Sequence, residues 1–346
     1  MSKYTFAQVK GDFNREEYCR AYSEVWMRGE SLLPEDVDPE DSQLKFVGLV
    51  DGRPSACYKV LTHDVTFFGS TLKCASIASV GVIPGERGSG FGSSMMEFCI
   101  SDLRERGFEV AALYPFREAF YRKFGFASTG FRWQIRCPSE RLPKVSSDLP
   151  IRRVHRADLA DLDACYRAFA FGLNGANVRS AAHWENRMGL REPVLYAIGD
   201  PIEAYAWTSM EGAFWEDLSI GEMAWTTEAG YLGLMALFRN FAINRTAIVW
   251  NEPSSGLFAS RFMDQGVEMK VHRPAMHRIL DVGSVLAKLG AAGFDWDVAV
   301  RDPLLGGDSG MEIGEFTRAV LRDLMAGSAP DGCPVPARAV FCTEFF

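Results

Sequence analysis

Apolar positions along the chain alternate over short runs and recur every three or four residues between them, the pattern of an α+β protein. Residues 4–9 read as a first strand. Asn14 with Glu17 three residues on fits a helix start. Tyr18, Tyr22 and Val25 then share one helical face, with Trp26 beside it and Gly29 as the stop. Residues 45–50 and 56–61 form strands joined by the turn Asp51-Gly52, and Gly69-Ser70 turns the chain into a strand that ends at Pro84. Met95, Cys99 and Leu103 line a helix over residues 93–106, stopped by Gly107. An apolar strand at 108–114 is broken by Pro115 and followed by a short helix at 117–124 and a last strand at 129–137.

The polar, proline-containing stretch 138–150 reads as a linker, because the pattern then starts again. Residues 151–154 parallel the first strand and 158–171 the first helix, and residues 194–198 and 204–209 echo the first hairpin around Gly199-Asp200. Beyond about residue 276 the pattern differs: a helix at 281–289, a strand at 294–301, a helix at 313–324 and an apolar run at 339–346. A terminus that apolar is expected to be packed inside. The expected domains are 1–148, 149–272 and 273–346.

The chemistry concentrates at residues 80–92, Val-Gly-Val-Ile-Pro-Gly-Glu-Arg-Gly-Ser-Gly-Phe-Gly, where an apolar strand empties into a loop that opens a helix. Backbone N–H groups at such a place have no intrahelical partners and form an anion cradle. Gly88, Gly90 and Gly92 remove Cβ atoms where a phosphate must approach, and Arg87 adds a charge to pair with it. A dinucleotide site would need G-x-G-x-x-G and an acidic residue closing the next strand, whereas here the glycines run G-x-G-x-G and Glu109 opens that strand. The alternative pattern, Arg/Gln-x-x-Gly-x-Gly/Ala, is filled by Arg87, Gly90 and Gly92 and resembles the coenzyme A loop of the GNAT acetyltransferases. A plain structural glycine turn is the third reading. The second copy has Thr226 to Gly233 at this place, without the arginine and two of the three glycines, which predicts the same fold without a cradle.

Composition narrows the options. Hydrophobic residues make up 47% and charged residues 24%, as in an ordinary globular protein. No apolar run approaches the ~18–20 residues of a membrane helix, and the N-terminus lacks the apolar core of a signal peptide, so a cytoplasmic location is expected. The eight cysteines include no C-x-x-C pair, and Cys57, Cys99 and Cys165 read as small buried residues. His63, His155, His183, His272 and His277 show no metal-ligand spacing and read as surface or packing residues, so no metal is expected. A net charge of −8 argues against nucleic acid and is compatible with a cationic substrate.

Taken together, the chain resembles the enhanced intracellular survival (Eis) family of acetyltransferases. The matching residues are the run 80–84, Arg87 with Gly90, Tyr114-Pro-Phe-Arg-Glu-Ala-Phe-Tyr121-Arg-Lys-Phe-Gly-Phe126, the segment 277–286 and the terminal Phe346. The resemblance implies tandem GNAT-like domains, each a mixed sheet flanked by helices, the second degenerate, plus a sterol-carrier-like C-terminal domain that is shortened here. It implies an N-acetyltransferase that moves acetyl from acetyl-CoA directly to a primary amine of a cationic acceptor, an aminoglycoside, a polyamine-like molecule or a lysine. The backbone of Val80 and Val82 would hold the pantetheine arm, Arg87, Gly88, Gly90 and Gly92 the pyrophosphate, and Phe116 would add to the cofactor site. Tyr121 would be the general acid and the α-carboxylate of Phe346 the base, its pKa raised by burial among Phe345, Phe341 and Val340. Trp26 and Glu344 would line the acceptor site. The family's assembly implies a homo-oligomer, a hexamer, with neither membrane nor nucleic acid as partner. A second hypothesis is a non-catalytic acetyl-CoA-binding or assembly protein of the same fold. The sequence departs from the family in its short third domain and in a loop that reads Arg87-Gly-Ser rather than arginine-rich.

Overall fold

Strand pairing divides the chain differently from its linear order. The computed structural model describes residues 4–26, 30–37, 43–189, 194–210, 212–273 and 275–344. The first unit comprises β1 (Tyr4–Gln8), α1 (Arg15–Trp26), β2 (Gln43–Val50), β3 (Arg53–Phe67), β4 (Ser70–Val82), α2 (Phe91–Glu105), β5 (Val110–Leu113), α3 (Glu118–Arg122) and β6 (Ala127–Ser128). Strands β1 to β4 pair antiparallel in sequence order, and Asp51 and Gly52 both take positive φ in the tight turn between β2 and β3. Strand β5 runs parallel to β4, with α2 as the crossover. The stripe Phe91, Met95, Cys99, Leu103 of α2 is buried against Phe46, Tyr58 and Ile77 of the sheet. Gly29, the expected helix stop, lies outside the described residues.

Strand β7 (Arg132–Pro138), expected to close the first copy, instead crosses into the second unit. It lies there between β14 (Ala247–Pro253) and β15 (Glu268–His272), where Ile135 and Cys137 join a core with Tyr231, Phe238 and Trp250. The second unit also holds β8 (Ile151–Arg153), α4 (Leu159–Phe171), α5 (Ala181–Gly189), β10 (Val194–Ile198), β11 (Ala204–Thr208), β12 (Leu218–Ser219), β13 (Glu222–Trp225), α6 (Glu228–Phe241) and the short α7 (Phe258–Arg261), while β9 (Asn177–Val178), between α4 and α5, pairs antiparallel with β3 of the first sheet. The expected hairpin is the antiparallel pair β10–β11.

Residues 276–344, expected as a third domain, begin by returning a strand: β16 (Met276–Ile279) inserts into the first sheet between β5 and β6. All of its residues are buried, as in a strand covered on both faces. Helices α8 (Val282–Ala291) and α9 (Ile313–Val320) then cover the face opposite α2, with Val285, Leu289, Phe316 and Val320 on Leu72, Cys74, Val110 and Ala112. The strand expected at 294–301 reduces to β17 (Val300–Arg301), paired with the equally short β18 (Met311–Glu312).

The returned strand carries two polar side chains into the interior. Arg278 donates from Nη2 to both carboxylate oxygens of Asp302, at 2.9 and 2.8 Å. His277 Nδ1 lies 2.6 Å from Thr129 Oγ1. Burial, with His63 nearby, pushes the His277 imidazole down to about 4. Its folded value lies below the ordinary ~6.5, so its contribution is complete above pH ~6.5 and declines as the pH falls towards 4, where the unfolded chain takes up the proton first. The cost over that window is on the order of 3 kcal/mol. Urea midpoints measured between pH 7 and 4.5 should fall less steeply for His277→Asn than for the parent; equal slopes would refute the assignment.

Candidate active site

The site begins where two strands separate. Pairing of β4 with β5 runs from Cys74 opposite Val110 to Ile77 opposite Leu113, and β4 continues alone on that side to Val82. The cause is a bulge: Lys59 faces Ala78 and Cys57 faces Gly81, so Ser79 and Val80 together oppose Tyr58. Ser79 sits at φ 52°. Past the bulge, the edge of β4 that bears Val80 and Val82 has no strand partner among the described residues, and an extended ligand can pair with it. Helix α1 crosses this place so closely that a Cβ on Gly81 would strike Val25. Trp26, 47% exposed, donates from Nε1 to the Ser79 carbonyl at 3.3 Å. The bulge is absent from the sequence reading; Gly81 is the residue that could have signalled it.

The loop after β4 has the geometry of a cradle. Gly88 and Gly90 stand at φ 79° and 90°, and a Cβ added to either meets nothing within 4 Å, so backbone conformation rather than crowding calls for glycine. The N–H groups of Gly88, Ser89, Gly90 and Gly92 have no acceptor among the described residues. Arg87 folds back to donate from Nε to the Val82 carbonyl at 2.9 Å, which leaves its exposed Nη atoms beside the loop. Tyr4 steadies the loop with a 3.0 Å hydrogen bond to the Ser89 carbonyl.

Gly92 connects the loop to α3, since a Cβ there would lie 3.6 Å from Val82 Cγ2 and 3.8 Å from Phe120 Cζ. The Tyr121 ring is buried edge-on to Phe116 and Phe120, with centroids at 5.4 and 5.1 Å. Phe116 is 70% exposed. Burial raises the Tyr121 phenol above its ordinary value, and no described residue hydrogen-bonds its hydroxyl. It therefore carries its proton at neutral pH.

Phe346 lies outside the described residues, but the chain leading to it reaches the apex of the gap. Tyr114, the first residue past β5, donates to the Glu344 carbonyl at 2.8 Å and to Cys342 Sγ at 3.3 Å. The Glu344 side chain does not stand free: Oε1 accepts from Arg179 Nε at 2.8 Å and Oε2 from Arg187 Nη1 at 2.5 Å. Burial alone would raise this carboxyl; the His183 contact and the charges of Arg179 and Arg187 outweigh it and hold it at about 2. Neither arginine belongs to a motif in the sequence.

The second unit has no such cradle at the corresponding turn. Thr227 Oγ1 caps α6 by accepting from Gly230 N at 2.9 Å. A Cβ on Gly230 would fall 2.8 Å from the Glu203 carbonyl, so this glycine serves close helix–strand packing. Among the described residues no cluster of His, Cys, Asp or Glu is placed to hold a metal ion, and no helix is long and apolar enough to cross a membrane.

Residues 2–129 match the family model of the acetyltransferase (GNAT) domain. The first unit is thus an acetyltransferase domain of the GNAT type, and the bulged strand, glycine loop and helix α2 all lie within the matched residues. The chain is an N-acetyltransferase that resembles Eis. Its whole length superimposes on Eis1 from Mycobacterium abscessus at 16% identity and TM-score 0.74, covering 99% of this chain and 100% of that one. A GCN5-related N-acetyltransferase from Anabaena variabilis gives 16% identity and TM-score 0.79 over 99% and 100% of the two chains. A probable N-acyltransferase of unknown function from Enterococcus faecalis gives 16% and 0.81 over 100% of both. Likeness at that identity is likeness of fold. No curated protein sequence matches the chain.

Proposed function

We propose that the chain transfers acetyl from acetyl-CoA, the donor that GNAT acetyltransferases use, directly to a primary amine of a cationic acceptor. The observation that carries this reading is the row of unpaired loop N–H groups at the mouth of the β4–β5 gap, with the protonated Tyr121 on α3, which Gly92 and Phe120 join to the loop. The loop from Arg87 to Gly92 takes the pyrophosphate, the open edge at Val80 and Val82 takes the pantetheine arm, and Phe116 covers it. A β4 N–H in the gap donates to the oxyanion as the amine nitrogen bonds to the thioester carbon. As the C–S bond breaks, Tyr121 gives its proton to the thiolate. The chain-end carboxylate of Phe346 accepts the amine proton, directly or through water. Trp26, half exposed beside the bulge, forms the acceptor side, and the net charge of −8 favours a cation there.

We assign α8 and α9 to the shortened sterol-carrier-like segment. A homo-oligomer, with the family's hexamer as the expectation, is supported by the exposed cluster Phe214, Trp215 and Ile243, at 70, 73 and 70%.

Thiol release from acetyl-CoA over a panel of polyamines, aminoglycosides and lysine peptides tests the activity. Tyr121→Phe is expected to keep donor affinity and to lower kcat by about 10²–10⁴-fold. A variant within about twofold of the parent would return Tyr121 to a packing role, since a general acid contributes far more. Donor binding without release on any amine would favour the non-catalytic reading.

A further inference from the structure

Two kinds of contact hold the end of the chain. Through Phe341 it is threaded into a narrow seam. Asn174 donates its N–H to the Ala339 carbonyl and accepts from Phe341 N, both at 2.9 Å, and Val340 N donates to Asp323 Oδ2 at 2.8 Å. A Cβ on Gly130 would collide with the Val340 carbonyl, and one on Gly175 would come within 3.3 Å of Val340 Cγ1. From Cys342 onward the contacts are polar and directional. Thr343 Oγ1 lies 2.8 Å from Tyr166 OH and accepts from Asn177 N at 3.0 Å.

Glu344 then enters a buried cluster with Arg179, Arg187 and Glu222. Arg179, whose side chain has no exposed surface, bonds Glu222 as well as Glu344, and Arg187 does the same. The Arg179 guanidinium lies 3.8 Å from the Tyr166 ring centre and that of Arg187 4.5 Å from the Trp207 ring centre. Tyr205 OH donates to Glu222 Oε1 at 2.6 Å. Two arginines and two glutamates balance; His183 Nε2 lies 3.3 Å from Glu344 Oε1, and His63 is a further titratable neighbour of both. Apart from Glu344 and His63, every one of these residues belongs to the second unit.

Apolar packing alone could bury a chain end as stably as these charges do, because paired charges lose hydration that they recover only in part. What forked arginine–carboxylate bonds add is direction. The fixed point lies where it matters, because the Glu344 carbonyl is hydrogen-bonded to Tyr114 at the apex of the β4–β5 gap. We propose that the second unit, which lacks a cradle of its own, serves transfer through this cluster: Arg179, Arg187 and Glu344 are positioning residues that clamp the chain end beside the reacting groups. The proposal rests on the reading above that the chain end takes part in transfer.

Glu344→Gln keeps the shape and removes the charge. It is expected to lower kcat on the order of 10²-fold, the scale of a displacement of about 1 Å at a reacting group. Acetyl-CoA affinity and acceptor KM should stay within about twofold, since neither ligand is held by the clamp. Carboxypeptidase should release the terminal residues faster from the folded variant. Arg187→Lys should fall between parent and Arg187→Met, because a point charge restores attraction without the fork. Parental kcat with parental carboxypeptidase sensitivity would overturn the clamp. A raised acceptor KM at unchanged kcat would also overturn it, by placing Glu344 against the acceptor. Should Glu344→Gln fail to fold, Arg187→Lys carries the same test, its side chain being 23% exposed. Residues appended after Phe346 separate the two readings. A dead extended enzyme beside an unimpaired Glu344→Gln sinks the clamp alone. An active extended enzyme beside an impaired Glu344→Gln sinks the carboxylate base and leaves the clamp as the device that seats residues 342–344.

Discussion

Gly90→Glu is expected to leave a folded protein that binds no acetyl-CoA detectable by calorimetry. Space is not the obstacle in the free protein, since a Cβ at Gly90 meets no atom within 4 Å. The backbone is at φ 90°, so a side chain there costs on the order of 1–3 kcal/mol, which a chain of this size should survive. The loss falls on the ligand. A carboxylate would lie over the unpaired N–H groups at the start of α2, satisfy them itself and repel the pyrophosphate. Gly90→Ala, with the same strain and no charge, should bind detectably but more weakly than the parent. One donor per chain is the expected stoichiometry, because the corresponding turn of the second unit is capped by Thr227. Two donors per chain, or full affinity in Gly90→Glu, would remove the loop from the donor site.

The second large effect concerns the end of the chain. Adding residues after Phe346, or fusing a tag there, is expected to abolish turnover while donor affinity stays at the parental value. Extension converts the α-carboxylate into an amide, which cannot take a proton from the amine at neutral pH. The loop assigned to the donor is made from residues 87–92, far in sequence from the segment that changes. Thermal unfolding of the extended protein guards against a trivial loss: a midpoint near the parent's, with no turnover, is the expected combination. A well-folded extended enzyme at full activity would eliminate the terminal carboxylate as base.

The geometry of the glycine loop was legible in the sequence because its signal is local. Glycines and an arginine at fixed spacing between a strand and a helix dictate their own geometry, and Arg87, Gly88 and Gly90 stand in the structure as an open loop. Helix α2 and the hairpins were legible for the same reason. What failed was partnership at a distance. The alternation over residues 132–138 shows a strand and not which sheet it joins, so β7 could not be seen to leave the first unit. Strand β16 shows the converse, a strand read as the opening of a third domain that completes the first sheet. The buried cluster was invisible because an arginine outside any motif looks like surface until a fold buries it, as it buries Arg179. The role expected for Glu344, lining the acceptor site, meets a carboxylate whose two oxygens are already engaged.

The exchange of strands β7 and β16 bears on how such a chain can be inherited. A unit joined by a linker is ordinarily a module that recombination can copy, replace or discard. Here a crossover within residues 138–150 would deliver a first unit without the strand it receives from residues 276–279, and a second unit without the strand it receives from residues 132–138. The two units are therefore tied into one heritable block by the strands that pass between them.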